Sequence, residues 1–291
     1  MKIRAHETFY MRKGWLHKGI KNINTNPRLF TNKEINPCDV LGIGTNMVKS
    51  LRYWMNAVGI MEEFSEGNQH MQRMTQFGKI INQYDEYYEE DGTNWLIHYM
   101  LAKNVDQATA WYWFFNIFKA NTFDKDLFIR DLGEYLHTEY SYDCSEKMLS
   151  DEFNCLINTY CHKGRNFTPE DMNECPLTDL RLIEKADGND YKKCIPDKDA
   201  IHPLIILAII EDQIDTDEIL IADLLNKPCN IGKIFNLDRA TSFYYLELLQ
   251  KLEYLDIIRT AGLDVVKLKK REDFYTIVQR YYNTINGVTE Q

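Results

Sequence analysis

The spacing of apolar residues between positions 35 and 60 predicts a short helix, a glycine turn and a longer helix. Five apolar residues of the longer helix recur at steps of three and four: Met47, Val48, Leu51, Met55 and Val58. This spacing indicates one buried stripe. Gly42 and Gly44 fall in the turn, where residues without Cβ let two helices cross closely. The layout is typical of a helix-turn-helix, in which we expect Thr45 and Asn46 to cap the second helix.

A β wing is predicted after this segment. The runs Gly78–Ile81 and Trp95–Tyr99 flank Asp91-Gly92, a dipeptide favoured in tight hairpin turns. Such a hairpin would complete a winged helix, with the acidic stretch Glu62–Gly67 as a linker. The two runs alternate imperfectly between apolar and polar positions. A helical structure for part of the stretch therefore remains an alternative.

The middle of the chain has the period of helices. Four aromatic residues form a predicted core stripe: Trp111, Phe114, Phe115 and Phe118. Helical spacing continues over residues 124–160. Residues 161–200 are rich in glycine, proline and asparagine, which predicts a loop excursion.

The last ninety residues predict a second winged helix. A helix from Asp238 to Leu255 would bury one stripe, made of Ala240, Phe243, Leu246, Leu249 and Leu252. Two strands, from Leu255 and from Val265, would then flank a turn at Ala261–Asp264. The predicted fold is mainly α, with winged-helix/helix-turn-helix modules at both ends, a helical connector and small β wings. We place the domains at residues 1–104, 105–199 and 200–291.

Composition places the chain among globular proteins, with 44% hydrophobic and 27% charged residues. It contains no run of about 18 apolar residues, and the first residues lack the apolar core of a signal peptide. We therefore expect a cytoplasmic protein without a membrane partner. Its seven cysteines are expected to be thiols.

Charge is distributed unevenly along the chain. The formal net charge is -10, yet residues 1–60 hold ten Lys and Arg against three acids, a local balance of +7. The remaining residues therefore carry -17. A cationic face on an acidic protein favours directed binding of duplex DNA. The predicted DNA-binding residues are Arg12, Lys13, Lys18, Thr45, Asn46, Lys49, Ser50 and Arg52.

The C-terminal module is a weaker DNA candidate. Its predicted third helix has a balance of -1, whereas the wing carries the cations Arg259, Lys267, Lys269, Lys270 and Arg271. The wing could steady DNA, or the module could bind a partner protein or a second copy of the chain. The scarcity of cations on the helix favours protein contact.

The densest group of possible metal ligands is Asp85, Glu86, Glu89, Glu90 and His98. Four of them, Asp85, Glu89, Glu90 and His98, are the candidate catalytic residues. Such a group could hold Mg²⁺ or Mn²⁺ for phosphodiester hydrolysis, or could simply be a solvated acidic turn. The adjacent pair His6-Glu7 could be an acid/base or metal pair, but we favour capping or surface groups, because two neighbouring residues lack the geometry of a site. A further group, Cys155, Cys161, His162, Cys175 and Cys194, contains no CxxC pair, which argues against zinc.

Two motifs carry a family resemblance. The runs HETFYMRKGWLHKG, from His6, and LGIGTNMVKSLRYW, from Leu41, resemble a bacterial family of unassigned function found beside DNA phosphorothioation genes and related to the SspB nickase. The resemblance implies a DNA-binding component of a phosphorothioate modification and defence system, with sulfur-transfer or reductase-like partner proteins. It also implies strand nicking. The alternative is a non-catalytic DNA-binding adaptor or transcriptional regulator that recruits partner proteins.

Overall fold

The computed structural model describes residues 1–162, 174–260 and 263–287. Its α-helices are α1 Trp15–Thr25, α2 Pro37–Leu41, α3 Thr45–Ala57, α4 Gln76–Tyr84, α5 Asp91–Ala102, α6 Thr109–Asn116, α7 Lys125–Tyr140, α8 Glu146–Tyr160, α9 Pro203–Gln213, α10 Ile221–Asn226, α11 Ile231–Ile234, α12 Arg239–Lys251 and α13 Phe274–Ile285, with a 3-10 helix at Pro176–Leu180. The strands are β1 Met61–Glu66, β2 Gln69–Met74, β3 Thr122–Phe123, β4 Ile183–Lys185, β5 Tyr191–Lys193, β6 Glu218–Leu220, β7 Leu255–Thr260 and β8 Leu263–Leu268. The expectation of a mainly α chain with small antiparallel sheets is confirmed.

The chain forms two compact units. The first comprises residues 1–114 and 118–194, and the second comprises residues 115–117 and 195–291. Within the described ranges, none of the helices combines the length and apolar character needed to cross a bilayer.

The first unit begins with α1 packed against α2 and α3. Four residues of the predicted stripe on α3 are buried: Val48, Leu51, Met55 and Val58. Gly42 ends α2 in the left-handed region with φ of 62°, a conformation that glycine adopts without steric cost. Residues 37–57 therefore form two consecutive helices separated by a turn that contains glycine.

The predicted hairpin at residues 78–99 is wrong. These residues form α4 and α5, and Asp91-Gly92 opens α5 instead of making a β turn. All five residues from Trp95 to Tyr99 are buried, so no alternation between a buried and an exposed face exists. The hairpin lies earlier, where β1 pairs with β2 in the register Met61↔Met74 to Glu66↔Gln69. The stretch interpreted as an acidic linker is thus mainly a strand.

An aromatic core stabilises the rest of this unit. Trp111, Phe114 and Phe118 of the predicted stripe are buried in it, as expected, and the fourth residue, Phe115, is buried but belongs to the second unit. Phe114 contacts Phe123 and Phe128 edge-on or tilted, with ring centroids 5.1 and 6.2 Å away. The small antiparallel sheet has the order β3-β5-β4. Of the predicted loop excursion at 161–200, residues 163–173 lie outside the described residues.

The second unit contains α9 packed against α13 and a sheet of order β6-β8-β7. The predicted C-terminal strands are confirmed, while Ala261 and Gly262 of the predicted turn lie outside the described residues. The predicted stripe on α12 is only partly right. Leu246 and Leu249 are buried, but Ala240 and Leu252 are exposed and Phe243 is partly exposed. The helix instead buries Thr241, Ser242 and Tyr245 beside the two leucines, which leaves an apolar ring at the surface.

Candidate nucleic-acid interface

The start of α3 is open to solvent. Gly44 occupies the N-cap position, so the expectation that Thr45 and Asn46 cap the helix is wrong. Both residues are exposed, and the Thr45 hydroxyl lies 3.5 Å from the Cys38 sulfur. The amides of the first turn carry the positive end of the helix dipole, which favours contact with an anion.

Lys49 lies one turn further along the same helix and is well exposed. Its side chain is 58% accessible, and Nζ lies 3.8 Å from a Glu7 carboxylate oxygen. An ion pair at this distance and exposure is weak. Glu7 therefore holds the Lys49 ammonium group only weakly.

Ser50 is placed differently from its prediction. Its side chain is fully buried and donates a hydrogen bond to the Phe9 carbonyl at 3.2 Å. Because a buried hydroxyl cannot reach a nucleic acid, the prediction of Ser50 as a DNA-binding residue is wrong. Helical periodicity placed Ser50 off the buried stripe, and its burial depends on the N-terminal segment that contains Phe9.

Arg52 is held by the hairpin that follows α3. Its Nε and Nη2 donate to the two carboxylate oxygens of Glu63 at 2.6 and 2.7 Å, and Asn56 also donates to Glu63 at 3.2 Å. These hydrogen bonds raise the pKa of Arg52 and lower the pKa of the Glu63 carboxyl. Arg52 is accessible, at 37% side-chain exposure, but its charge is matched by the strand beside it.

The basic residues before α3 also differ in how far other groups of the protein already engage their side chains. The Arg12 guanidinium lies 5.6 to 5.9 Å from the ring centroids of Phe9, Tyr10 and Trp15, so aromatic faces surround it. Lys18 donates to the Leu41 carbonyl at 3.1 Å and ties α1 to the end of α2. Lys13 is exposed. Among the predicted basic residues, Lys13 and Lys49 are thus the most open to solvent.

The N-terminal segment, residues 1–14, is hydrogen-bonded to α3 and helps to position this helix. The Phe9 carbonyl accepts hydrogen bonds from Ser50 and from the Trp54 indole at 3.2 and 3.0 Å. Arg4, Glu7 and Thr8 all have positive φ, between 50° and 67°, which the surrounding contacts must stabilise.

His6 anchors this segment, and its interpretation as a capping or surface group is wrong. It is fully buried, with Nε2 3.3 Å from a carboxylate oxygen of the buried Glu152 on α8. The Thr8 amide donates to Nδ1 at 3.1 Å. Burial lowers the pKa of His6, but Cys155 and Glu152 outweigh it and leave the pKa raised. No local pattern could reveal this partner, because Glu152 lies far along the chain.

The proposed metal ligands have other contacts. Asp85 is buried, and its carboxylate accepts hydrogen bonds from the amides of Glu89 and Glu90 at 2.9 and 3.1 Å and from the Thr93 hydroxyl at 2.6 Å. It therefore stabilises the start of α5. His98 is buried with Nδ1 2.7 Å from the Tyr160 hydroxyl. Glu89 and Glu90 are exposed.

These contacts test the fit of a divalent ion. Both Asp85 oxygens already accept hydrogen bonds, and His98 lies in the core, so this pair does not fit Mg²⁺ or Mn²⁺. Among the residues that the structure describes, no three His, Cys, Asp or Glu side chains are arranged to hold a metal. In the cysteine-rich group, His162 contacts Glu174 at 2.9 Å and Cys161 donates to the Ile183 carbonyl at 3.3 Å.

The basic residues of the C-terminal wing all have acidic neighbours. The pairs are Arg259–Glu247 at 3.9 Å, Lys267–Glu218 at 2.9 Å, Lys269–Asp256 at 3.8 Å, Lys270–Glu272 at 3.1 Å and Arg271–Glu211 at 2.6 Å. Arg271 also donates to the carbonyls of Ile214 and Thr216. Much of the positive charge of the wing is therefore balanced by acidic side chains of the same unit.

Comparison with known proteins identifies similar proteins over nearly the whole chain. A family model described as "Protein of unknown function (DUF4007)" matches residues 3–282. No curated protein sequence matches. The chain is similar to two solved structures, "Magnesium ion-bound SspB crystal structure" and "SspB crystal structure", with TM-scores of 0.86 and 0.85. Each alignment has 21% identity and covers 99% of this chain and 88% of the other. The relation suggested by the two N-terminal motifs is confirmed, and at this identity the likeness shows a shared fold.

Proposed function

The chain belongs to the DUF4007 family of proteins of unknown function, and from that premise we propose that it is a DNA-binding component of a bacterial DNA phosphorothioate modification and defence system. Support comes from the SspB fold and from the motifs that resemble a family found beside phosphorothioation genes. The observation that carries the DNA-binding part is the solvent-open start of α3, with Thr45, Asn46 and Lys49 exposed within a segment of local charge +7.

The proposed binding module is a winged helix. In this interpretation α2 and α3 form the helix-turn-helix, and β1 and β2 form the wing. The wing is acidic, because Glu62, Glu63 and Glu66 outnumber Arg73. DNA would therefore approach α3 from its N-terminal end and from the Lys13 side. The C-terminal unit, with α12 followed by β7 and β8, is proposed as a second winged helix.

The test is binding to a fluorescent DNA duplex across a range of salt concentrations. Lys49→Glu should weaken binding and flatten the slope of log affinity against log salt by about 0.9, the loss of one phosphate contact. Lys192→Glu is the matched control, since Lys192 is similarly exposed and lies 3.3 Å from a glutamate elsewhere in the same unit. Equal affinity of the two variants would contradict the proposed face.

Strand nicking is the enzymatic form of this proposal. The similar solved structure described as magnesium ion-bound makes Mg²⁺ the first ion to supply, with Mn²⁺ beside it. Asp85 and His98 are not suited to hold the ion, so Glu89 and Glu90 are the accessible members of the predicted group. Relaxation of supercoiled plasmid that requires the metal and is lost in Glu89→Ala with Glu90→Ala would support nicking at this position.

The second candidate is a non-catalytic adaptor that recruits sulfur-transfer or reductase-like proteins to DNA. The contacts of Asp85 and His98 favour it, because these side chains stabilise the fold around α5. Purified protein that shifts duplex DNA but leaves supercoiled plasmid intact with either ion would support the adaptor. Relaxation by the wild type would reject it.

A further inference from the structure

A groove runs between α12 and the strand β7 in the second unit. It is lined by Arg239, Phe243, Glu247, Gln250, Ile257 and Arg259, and we refer to these residues as the α12–β7 groove. It consists of two depressions open to solvent that share Glu247 and Arg259, with volumes of about 500 Å³ towards Arg239 and about 420 Å³ towards Gln250. Volumes of this order are typical of ligand-binding clefts.

One wall of the groove is the edge of a sheet. The order β6-β8-β7 leaves β7 with a strand on one side only among the described residues. The Ile257 amide points away from β8 and donates to the side-chain oxygen of Gln250 at 3.2 Å. Backbone groups alternate in direction along an antiparallel strand, so those of Arg259 point into the groove as well.

The Gln250 side chain thus occupies the position that a further strand would take beside β7. Its amide oxygen accepts the hydrogen bond from the Ile257 amide that a backbone carbonyl of such a strand would accept. An incoming extended chain can displace this flexible, exposed side chain and gain the same hydrogen bond.

The side chains indicate which chain would fit. The Phe243 ring is partly exposed and offers an apolar surface beside two guanidinium groups, with its centroid 5.2 Å from Arg239 and 5.5 Å from Arg259. Arg259 faces Glu247 at 3.9 Å with both side chains more than half exposed, a weak pair that a ligand carboxylate can replace. Arg239 has a closer partner, Asp264, at 2.8 Å.

Charge distinguishes a peptide from DNA here. Residues 195–291 hold 11 Lys and Arg against 16 Asp and Glu, a balance of -5, which opposes a phosphate backbone. The groove is a cationic spot in this unit, because Arg239 and Arg259 face one acid, Glu247, and the bordering charges of Lys251 and Asp264 cancel. A short acidic segment can use this spot without approaching the rest of the surface.

We propose that the α12–β7 groove binds an extended, acidic peptide segment of a partner protein, which adds to β7 as a further strand. Its backbone pairs with Ile257 and Arg259, an apolar side chain covers Phe243, and a carboxylate takes the place of Glu247 on Arg259. This inference does not depend on DNA binding by the first unit.

The probe is a fluorescent peptide of alternating valine and glutamate, titrated against the full chain by anisotropy. We expect saturable binding. A valine–lysine peptide should bind about ten-fold more weakly or worse because its charge is reversed. A proline–glutamate peptide keeps the charge but cannot add as a strand, so it should not saturate. Failure of the valine–glutamate peptide to bind, or equal binding of all three peptides, would overturn the proposal.

Two variants locate the site. Arg259→Glu should weaken the valine–glutamate peptide by about ten-fold or more, whereas Arg130→Glu, an equally exposed arginine of the first unit, should leave it unchanged. Gln250→Ala frees the Ile257 amide and should tighten binding by about three- to ten-fold. Equal affinity of the two arginine variants, or unchanged or weaker binding by Gln250→Ala, would reject the groove. Circular dichroism of each variant checks the fold, and Gln250→Ala decides the question alone if Arg259→Glu unfolds.

Discussion

Glu63→Gln should strengthen DNA binding while weakening the fold. In the wild type, Glu63 holds Arg52 through two hydrogen bonds of 2.6 and 2.7 Å on the exposed side of α3. The neutral amide keeps the shape of the side chain but no longer neutralises the guanidinium. Arg52 then becomes available to a phosphate beside Lys49.

The magnitudes follow from exposure and charge. The two side chains are 37% and 33% exposed, so the pair contributes about 1 kcal/mol to folding at most. Its loss should lower the melting temperature by roughly 2–4 °C in a chain of this size. One added phosphate contact should steepen the slope of log affinity against log salt by about 0.9. The gain in affinity should therefore be largest at low salt.

The assay is the anisotropy of a fluorescent duplex at several salt concentrations, with Glu62→Gln as the matched control. Glu62 pairs with Arg73 at 2.6 Å in the same hairpin, but strand alternation directs it to the opposite face. Freeing Arg73 should change the slope little. Equal slopes for the two variants, or a weaker duplex affinity of Glu63→Gln, would refute the orientation of DNA on α3.

Three further changes test the folded structure by chemical denaturation or thermal melting. Asp85→Asn should cost about 1–2 kcal/mol by weakening three hydrogen bonds at the start of α5, and an equal loss with and without Mg²⁺ would separate capping from metal binding. Gly78→Ala should destabilise by about 1–3 kcal/mol, because an added Cβ would overlap the Ile60 carbonyl, and unchanged stability would contradict that close approach. Hydrogen bonds from Arg280 lower the pKa of Glu272 from 4.5 to about 2, so its stabilisation is present above about pH 4.5 and is lost as the pH falls towards 2. Glu272→Gln should flatten the stability profile over that range, and an unaltered acid limb would show that the Glu272 pair does not govern it.

The spacing of apolar residues predicted the elements that pack against segments close to them in the sequence. Four of the five residues in the predicted stripe of α3 are buried, and so is the aromatic stripe that begins in α6. The hairpin after α3 was missed because its strands are mostly polar and exposed, so they lack the alternation that identifies a strand. The opposite error occurred at Asp91-Gly92, where a favoured turn pair begins a helix that is buried on every side.

Site prediction reached its limit at contacts between distant segments. The exposure of Thr45, Asn46 and Lys49 follows from the helical period of α3. The burial of Ser50 depends on the Phe9 carbonyl, and the burial of His6 depends on Glu152. The ion pair between Arg52 and Glu63 depends on the β1–β2 hairpin, which the sequence did not predict. Residue type alone therefore could not show which basic residues already had acidic partners.

The shared carbonyl of Phe9 has a dynamic consequence. One oxygen accepts hydrogen bonds from Ser50 and Trp54, residues one helical turn apart, so release of the N-terminal segment removes two polar contacts of α3 at once. The segment and the helix should consequently open as one cooperative unit. In native-state hydrogen exchange, the amides of α3 and the backbone around Phe9 should share a single opening free energy.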